Sequence, residues 1–267
     1  MDVVTRNNVR DLGHGERDMV FAHGFGCDQT VWRDVAPAFE ASYRVIMFDH
    51  VGAGRSDLAA YSRTRYATLN GFARDLIEII EAMSTRPVIF VGHSVSAMIG
   101  ILAAISKPAL FRLLVLVAPS PCYRNDGDYV GGFDQEALEQ IVDAMDANYL
   151  GWSRSLAPVI MGHADRPELG EDLTNSFCRT DPDIARHFGR VTFLSDHRAD
   201  LPRASVPSLI LQCRDDAVAP ATVGTYMRDT MPMSTLVNLS ATGHCPHVSA
   251  PEEVIGVIRT ALGALDG

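Results

Sequence analysis

The sequence has no long apolar run. Its longest, such as residues 113–118, fall far short of the ~20 residues a membrane-spanning helix needs. Residues 1–15 are polar and mix Arg6 and Arg10 with Asp2 and Asp11, so they hold no apolar core of a secretory signal. Basic runs are also missing. With 33 acidic and 23 basic side chains the formal net charge is -10, which repels phosphate backbones and anionic lipid and argues against nucleic-acid and membrane partners. The five cysteines, Cys27, Cys122, Cys178, Cys213 and Cys245, are odd in number, scattered and without a C-x-x-C pair. They read as reduced core or pocket thiols of a cytoplasmic protein, not as a disulfide framework. No H-E-x-x-H or comparable ligand spacing occurs, so no metal and no cofactor is expected. There is no internal repeat and no low-complexity segment.

What is present is a chain of 267 residues, 47% hydrophobic and 21% charged, large enough for a substantial core. Short β-branched runs at residues 18–22, 44–48, 87–91, 113–117, 208–212 and 235–239 read as buried strands. Helix-period patterns lie between or after them at residues 67–83, 95–105 and 251–262. Strands alternating with helices predict an α/β fold with a mostly parallel central sheet flanked by helices. The alternation stops between about residues 123 and 200, where residues 134–150, 152–161, 169–177 and 182–195 read as successive helices. The expected organisation is therefore a core of residues 1–122 and 201–267 with a helical lid at 123–200, over the strand ends where such sheets bind ligands.

Gly92-His93-Ser94-Val95-Ser96 follows one of these strands and precedes a helix, the setting of a nucleophile elbow in which a strained turn lifts a serine above the sheet. Ser96 stands where the motif has glycine, and it is still small; the plainer alternative is an ordinary turn capped by serine. A serine hydroxyl needs a base, and in this fold the order along the chain is serine, acid, histidine. Of nine histidines, His14, His23 and His50 precede the serine, His163, His187 and His197 fall in the helical insertion, and His93 would point elsewhere. His244 and its competitor His247 lie in the loop after the last strand; Gly243 gives His244 the freer backbone. The acid falls at Asp215 or Asp216 after residues 208–212, and spacing does not separate the two. Residues 113–117 run into Pro119-Ser120-Pro121-Cys122 with no carboxylate at hand. The His23-Gly24-Phe25-Gly26 turn would present the Phe25 N–H beside that of Val95 as an oxyanion hole, worth about 3 kcal/mol per donor. Gly52-Ala53-Gly54-Arg55-Ser56-Asp57 lacks the third glycine of a dinucleotide loop and reads as a structural turn, with Asp49 and Arg55 a candidate pair. Of the many aromatics in the insertion most read as packing, but Trp152 and Phe193, with Phe25, are candidates to line a cavity for a small, largely apolar, uncharged substrate.

The assembled segments resemble one branch of the α/β-hydrolases, the RsbQ-like proteins and the strigolactone and karrikin receptors. The likeness is carried by His23-Gly24-Phe25-Gly26-Cys27-Asp28-Gln29, Gly92-His93-Ser94-Val95-Ser96-Ala97-Met98-Ile99-Gly100 and Pro119-Ser120-Pro121-Cys122-Tyr123. It extends over Gly131-Gly132-Phe133, Asn148-Tyr149-Leu150-Gly151-Trp152, Ser195-Asp196-His197-Arg198 and Gly243-His244-Cys245-Pro246-His247. The resemblance implies a Ser94, His244, Asp216 triad and a four-helix, V-shaped lid. It also implies a hydrophobic pocket at Phe25, Tyr123, Phe133, Trp152 and Phe193. Members of the branch hydrolyse small esters or butenolide lactones slowly, and several act as ligand sensors. The RsbQ type works with a partner phosphatase carrying a PAS domain, which makes such a phosphatase, or another signalling protein, the expected kind of partner.

Overall fold

A computed structural model describes residues 2–266. In chain order the strands are β1 (Arg10–Leu12), β2 (Arg17–Ala22), β3 (Tyr43–Phe48), β4 (Val88–His93), β5 (Phe111–Val117), β6 (Ser208–Gln212) and β7 (Ser234–Asn238). The helices are α1 (Val3–Arg6), α2 (Leu69–Met83), α3 (Val95–Ser106), α4 (Gln135–Ala147), α5 (Tyr149–Met161), α6 (Pro167–Arg179), α7 (Pro182–Phe193), α8 (Ala221–Thr230), α9 (Pro246–Ser249) and α10 (Pro251–Asp266). One sheet runs in the order β1-β3-β2-β4-β5-β6-β7, parallel except for β1, which pairs antiparallel with β3.

The strands β2 to β6 in the middle of the sheet bury both faces, as the period of two requires of a sheet covered on each side. Along β2, Val20 and Ala22 join Phe72, Leu76 and Ile79 of α2, while Met19 and Phe21 pack with Trp32 and with Val254 and Ile258 of α10. In β4, Phe90 goes to the first face and Ile89 and Val91 to the second. A third apolar cluster joins α4, α5, α6 and α7 to Phe25, Cys27, Val218 and Cys245, residues of loops that leave the sheet. The four helices follow one another with no strand between them.

All six expected strands are present, within two residues of their expected bounds. β1 was not expected: its residues are polar or exposed along its whole length and pair on one side only, so they carry no periodic apolar signal. α8 was not expected either; it buries only Val223, Gly224 and Met227. Asp49 does contact Arg55, but through the Arg55 backbone N–H (2.9 Å), and it also accepts from Gln29 N and Asn8 Nδ2. Its carboxylate is a hub for the turn, not half of an ion pair with the Arg55 guanidinium.

Candidate active site

β4 ends at His93 and α3 begins at Val95. Between them Ser94 takes φ 55° and ψ -121°, a left-handed conformation that costs a non-glycine residue about 1–3 kcal/mol. Its neighbours hold it there: Ser94 N donates to Val117 O (2.8 Å) and Ala97 N donates to Ser94 O (2.9 Å). The crossing is so tight that a Cβ on Gly92 would lie 2.7 Å from Ser96 O.

The loop after β7 brings His244 onto this turn. Ser94 Oγ and His244 Nε2 are 2.7 Å apart, and His244 Nδ1 lies 2.7 Å from Asp216 Oδ2. Asp216 Oδ1 accepts from Val218 N (2.8 Å) and Ala219 N (3.0 Å). Burial alone would raise the Asp216 carboxyl; His244 beside it and the two backbone donors outweigh that and hold it below the usual carboxylate range. An ionised carboxylate can only accept, so His244 Nδ1 carries the proton and donates. Nε2 is then the acceptor for the Ser94 hydroxyl.

The alternatives left open by spacing are separated here. Asp215 is exposed and pairs with Arg214 at 3.1 Å, while Asp216 is buried. His247 is fully buried between Trp32 and His93, with ring centroids at 4.4 and 4.3 Å, and neither of its nitrogens has a partner. His93 does not point away from the site: its Nε2 donates to the His244 carbonyl at 2.9 Å, which fixes the backbone of the histidine opposite Ser94. Burial, and after it the nearby His244, push His93 down to about 3, so it stays neutral.

The His23–Gly26 turn lies against the elbow. A Cβ on Gly24 would meet His93 Nδ1 at 2.5 Å and Ser94 Cβ at 3.4 Å, and one on Gly26 (φ 72°) would collide with the Phe177 ring. Val95 opens α3, where first-turn N–H groups have no carbonyl within the helix to bond. Ser96 ties the two segments together. Its hydroxyl donates to His23 O and accepts from His50 Nε2 (2.7 Å), and His50 N donates to His23 Nε2 (3.1 Å). A glycine at 96 could make neither side-chain bond, so the departure from the five-residue motif has a structural use that spacing could not show.

Above Ser94 lies a largely apolar cavity whose lining includes Phe25, Tyr123, Phe133 and Phe193. Tyr123 places its phenol by the Ser94 hydroxyl, and burial pushes that phenol up to about 12. Trp152 does not itself line the cavity. It packs behind the wall, 6.2 Å from Phe25 and 6.4 Å from Phe193 between ring centroids. Residue patterns did not single out Leu156, Ile160, Phe177 and Thr192 as lining positions; only the packing of α5, α6 and α7 over the loops brings them there. Among the described residues no group of three or more His, Cys, Asp or Glu side chains could hold a metal ion, and no helix is long and apolar enough to cross a membrane.

A strained serine between a parallel strand and a helix, facing a histidine from the last sheet loop, defines an α/β hydrolase, and the chain belongs to that family. Residues 19–257 match the alpha/beta hydrolase family. Within it, the chain is 41% identical to the Karrikin insensitive 2 receptor CA of Petunia hybrida, over 94% of each chain. It is 39% identical to the strigolactone esterase D14 of Arabidopsis thaliana, over 96% of each. Among solved structures it is similar to a hydrolase from Oleispira antarctica, with TM-score 0.95 and 41% identity over 98% of this chain and 96% of that one.

Proposed function

We propose that this protein is a serine hydrolase of small apolar esters or lactones, butenolides among them, working through Ser94, His244 and Asp216. Residues 123–200 serve as a lid on a core formed by 1–122 and 201–267. The observation that carries the reading is the unbroken chain of contacts from Asp216 Oδ2 through the His244 ring to Ser94 Oγ, each 2.7 Å long.

Ser94 Oγ attacks the carbonyl carbon while His244 Nε2 takes its proton, and Asp216 stabilises the imidazolium through Nδ1–H. The oxyanion is met by the N–H groups of Phe25 and Val95. Collapse expels the alcohol, which receives the proton from His244 and, for a lactone, stays tethered to the acyl group. Water, deprotonated by His244, then releases the acid and restores Ser94. Phe25, Tyr123, Phe133 and Phe193 hold the apolar part of the substrate, with Trp152 backing them. Ser94→Ala should lower turnover of p-nitrophenyl acetate and of a fluorogenic butenolide by about 10⁴-fold or more; retention of full turnover would overturn the reading.

A second reading is favoured by the names of relatives, among them the petunia receptor: a sensor with little turnover whose lid recruits a signalling protein, such as a phosphatase with a PAS domain. It predicts capture of a partner that depends on ligand. Fast turnover with no ligand-dependent partner would leave the plain enzyme.

A further inference from the structure

The cavity wall holds one side chain that apolar packing does not account for. Thr192 lies near the C-terminal end of α7, is buried, lines the cavity together with Ser94, and has no hydrogen-bond partner for Oγ1. A threonine in a helix can turn its hydroxyl back on the carbonyl four residues earlier. In this protein Thr174, Thr225, Thr230 and Thr260 do so, onto Gly170, Ala221, Tyr226 and Gly256. The Thr192 hydroxyl makes no bond to the Phe188 carbonyl and stays unpaired on the cavity wall. Its backbone is not slack either, since Ser195 Oγ donates to the Thr192 carbonyl at 2.9 Å. Another unpartnered polar atom on the lining, His93 Nδ1, lies beneath the elbow against Gly24, on the floor of the site. Thr192 belongs to α7, in the roof.

We infer that Thr192 is a specificity-determining residue that reads a second oxygen on the substrate, an ether, hydroxyl or carbonyl set apart from the scissile ester. The inference rests on the hydrolase reading for its substrate class. A buried hydroxyl with no partner is a standing penalty that a purely hydrocarbon substrate leaves in place and an oxygen-bearing one removes. Sites built around such a group reject the analogue that lacks its counterpart far more strongly than they reject a change of one methylene. The preferred substrate is then an apolar ester or lactone carrying one further hydrogen-bonding oxygen, in contrast to a plain alkyl ester.

The test uses p-nitrophenyl hexanoate and its analogues in which an ether oxygen replaces the methylene at acyl position 4 or 5. Each is turned over by the wild-type protein, Thr192→Val and Thr192→Ser. Electronic effects of the oxygen cancel when the oxa-to-carba ratio of kcat/KM is compared between proteins. For at least one oxygen position the wild-type ratio should exceed that of Thr192→Val by about ten-fold. Thr192→Ser should keep most of the preference. Equal ratios within about two-fold at every position would overturn the inference. The same ligand pairs, titrated calorimetrically into Ser94→Ala with and without Thr192→Val, give the ratio as binding constants. A wild type that turns over no ester faster than Ser94→Ala would sink the hydrolase reading, while the binding ratio would still decide the role of Thr192.

Discussion

The floor and the roof of the site are held by different physics. The floor, made of Ser94, His244, Asp216 and the His23–Gly26 turn, hangs from the ends of parallel strands, and its polar atoms are fixed by short, specific bonds. Ser94 N reaches Val117, Asp216 takes two backbone donors, His93 anchors the His244 carbonyl, and Ser96 bridges to His23 and His50. The roof, α4 to α7, is held mainly by apolar contact: Phe25 touches Trp152, Phe177, Phe188 and Phe193 with centroids 5.6 to 6.2 Å apart. Non-directional packing can be rebuilt with other side chains of similar volume, while a bonded triad cannot. On the proposed reading, chemistry belongs to the floor and selectivity to the roof.

The sharpest way to break that division is to damage the floor without touching a roof residue. Asp216→Asn keeps the shape but can present an amide to His244 Nδ1 and favour the wrong tautomer. It should lower kcat by about 10³–10⁴-fold with little change in KM, measured with p-nitrophenyl acetate. A loss under ten-fold would mean that the carboxylate is not coupled to the reaction.

A backbone seam joins floor and roof at the His244 loop. His244 N donates to Ile160 O of α5 at 2.8 Å, and Gly243 (φ 77°) lies so close that an added Cβ would be 1.9 Å from Met161 O. Gly243→Ala must move either the end of α5 or the His244 loop. A shift of about 1 Å in a catalytic group costs about 10²-fold, so kcat should fall by about that factor while the fold persists. If kcat holds and only KM rises, the strain has gone into the roof and the seam does not carry His244.

Ser96→Ala tests the floor from below. It strands the His50 Nε2–H and a buried carbonyl, each costing about 1–3 kcal/mol. A fall in melting temperature of about 5 °C or more is expected, with kcat down about ten-fold as the Phe25 turn loosens. Unchanged stability would mean that water or a rearranged His50 replaces the hydroxyl.

This contrast also explains what the sequence could reveal. The sheet and the elbow were legible because burial on both faces writes continuous apolar runs, and because Gly92 and Gly24 stand where backbones touch. β1 was illegible because a short edge strand with exposed polar residues writes nothing periodic. Asp215 and Asp216 are adjacent in one turn, and only the path of the chain decides which is buried; the residues themselves left both open, and only the family resemblance chose between them. Trp152 was expected at the cavity and stands one layer behind it. Thr192 carried no signal, since a threonine in an amphipathic helix looks the same whether its hydroxyl caps a carbonyl or faces a cavity.

The smallest expected effect concerns acid. Three histidines under the floor, His50, His93 and His247, are buried, and burial is the main cause holding each below its ordinary range. In the unfolded chain each titrates near 6.5, so below that pH the unfolded state takes up protons that the folded state refuses. Stability is complete above about pH 6.5 and is lost as pH falls, by about 1.4 kcal/mol per histidine between pH 7.5 and 5.5. His247 isolates one share of this, because its ring packs at a tilt against Trp32 and His93 and its nitrogens have no hydrogen-bond partner. His247→Phe keeps an aromatic ring in the same packing, removes the two unpaired nitrogens and cannot titrate. Its melting temperature should match or exceed that of the wild type at pH 7.5. Between pH 7.5 and 5.5 it should fall about 3–5 °C less, as followed by circular dichroism. A variant that loses as many degrees as the wild type would show that His247 takes up its proton without unfolding, and that the underside of the floor is less tightly closed to water than its packing implies.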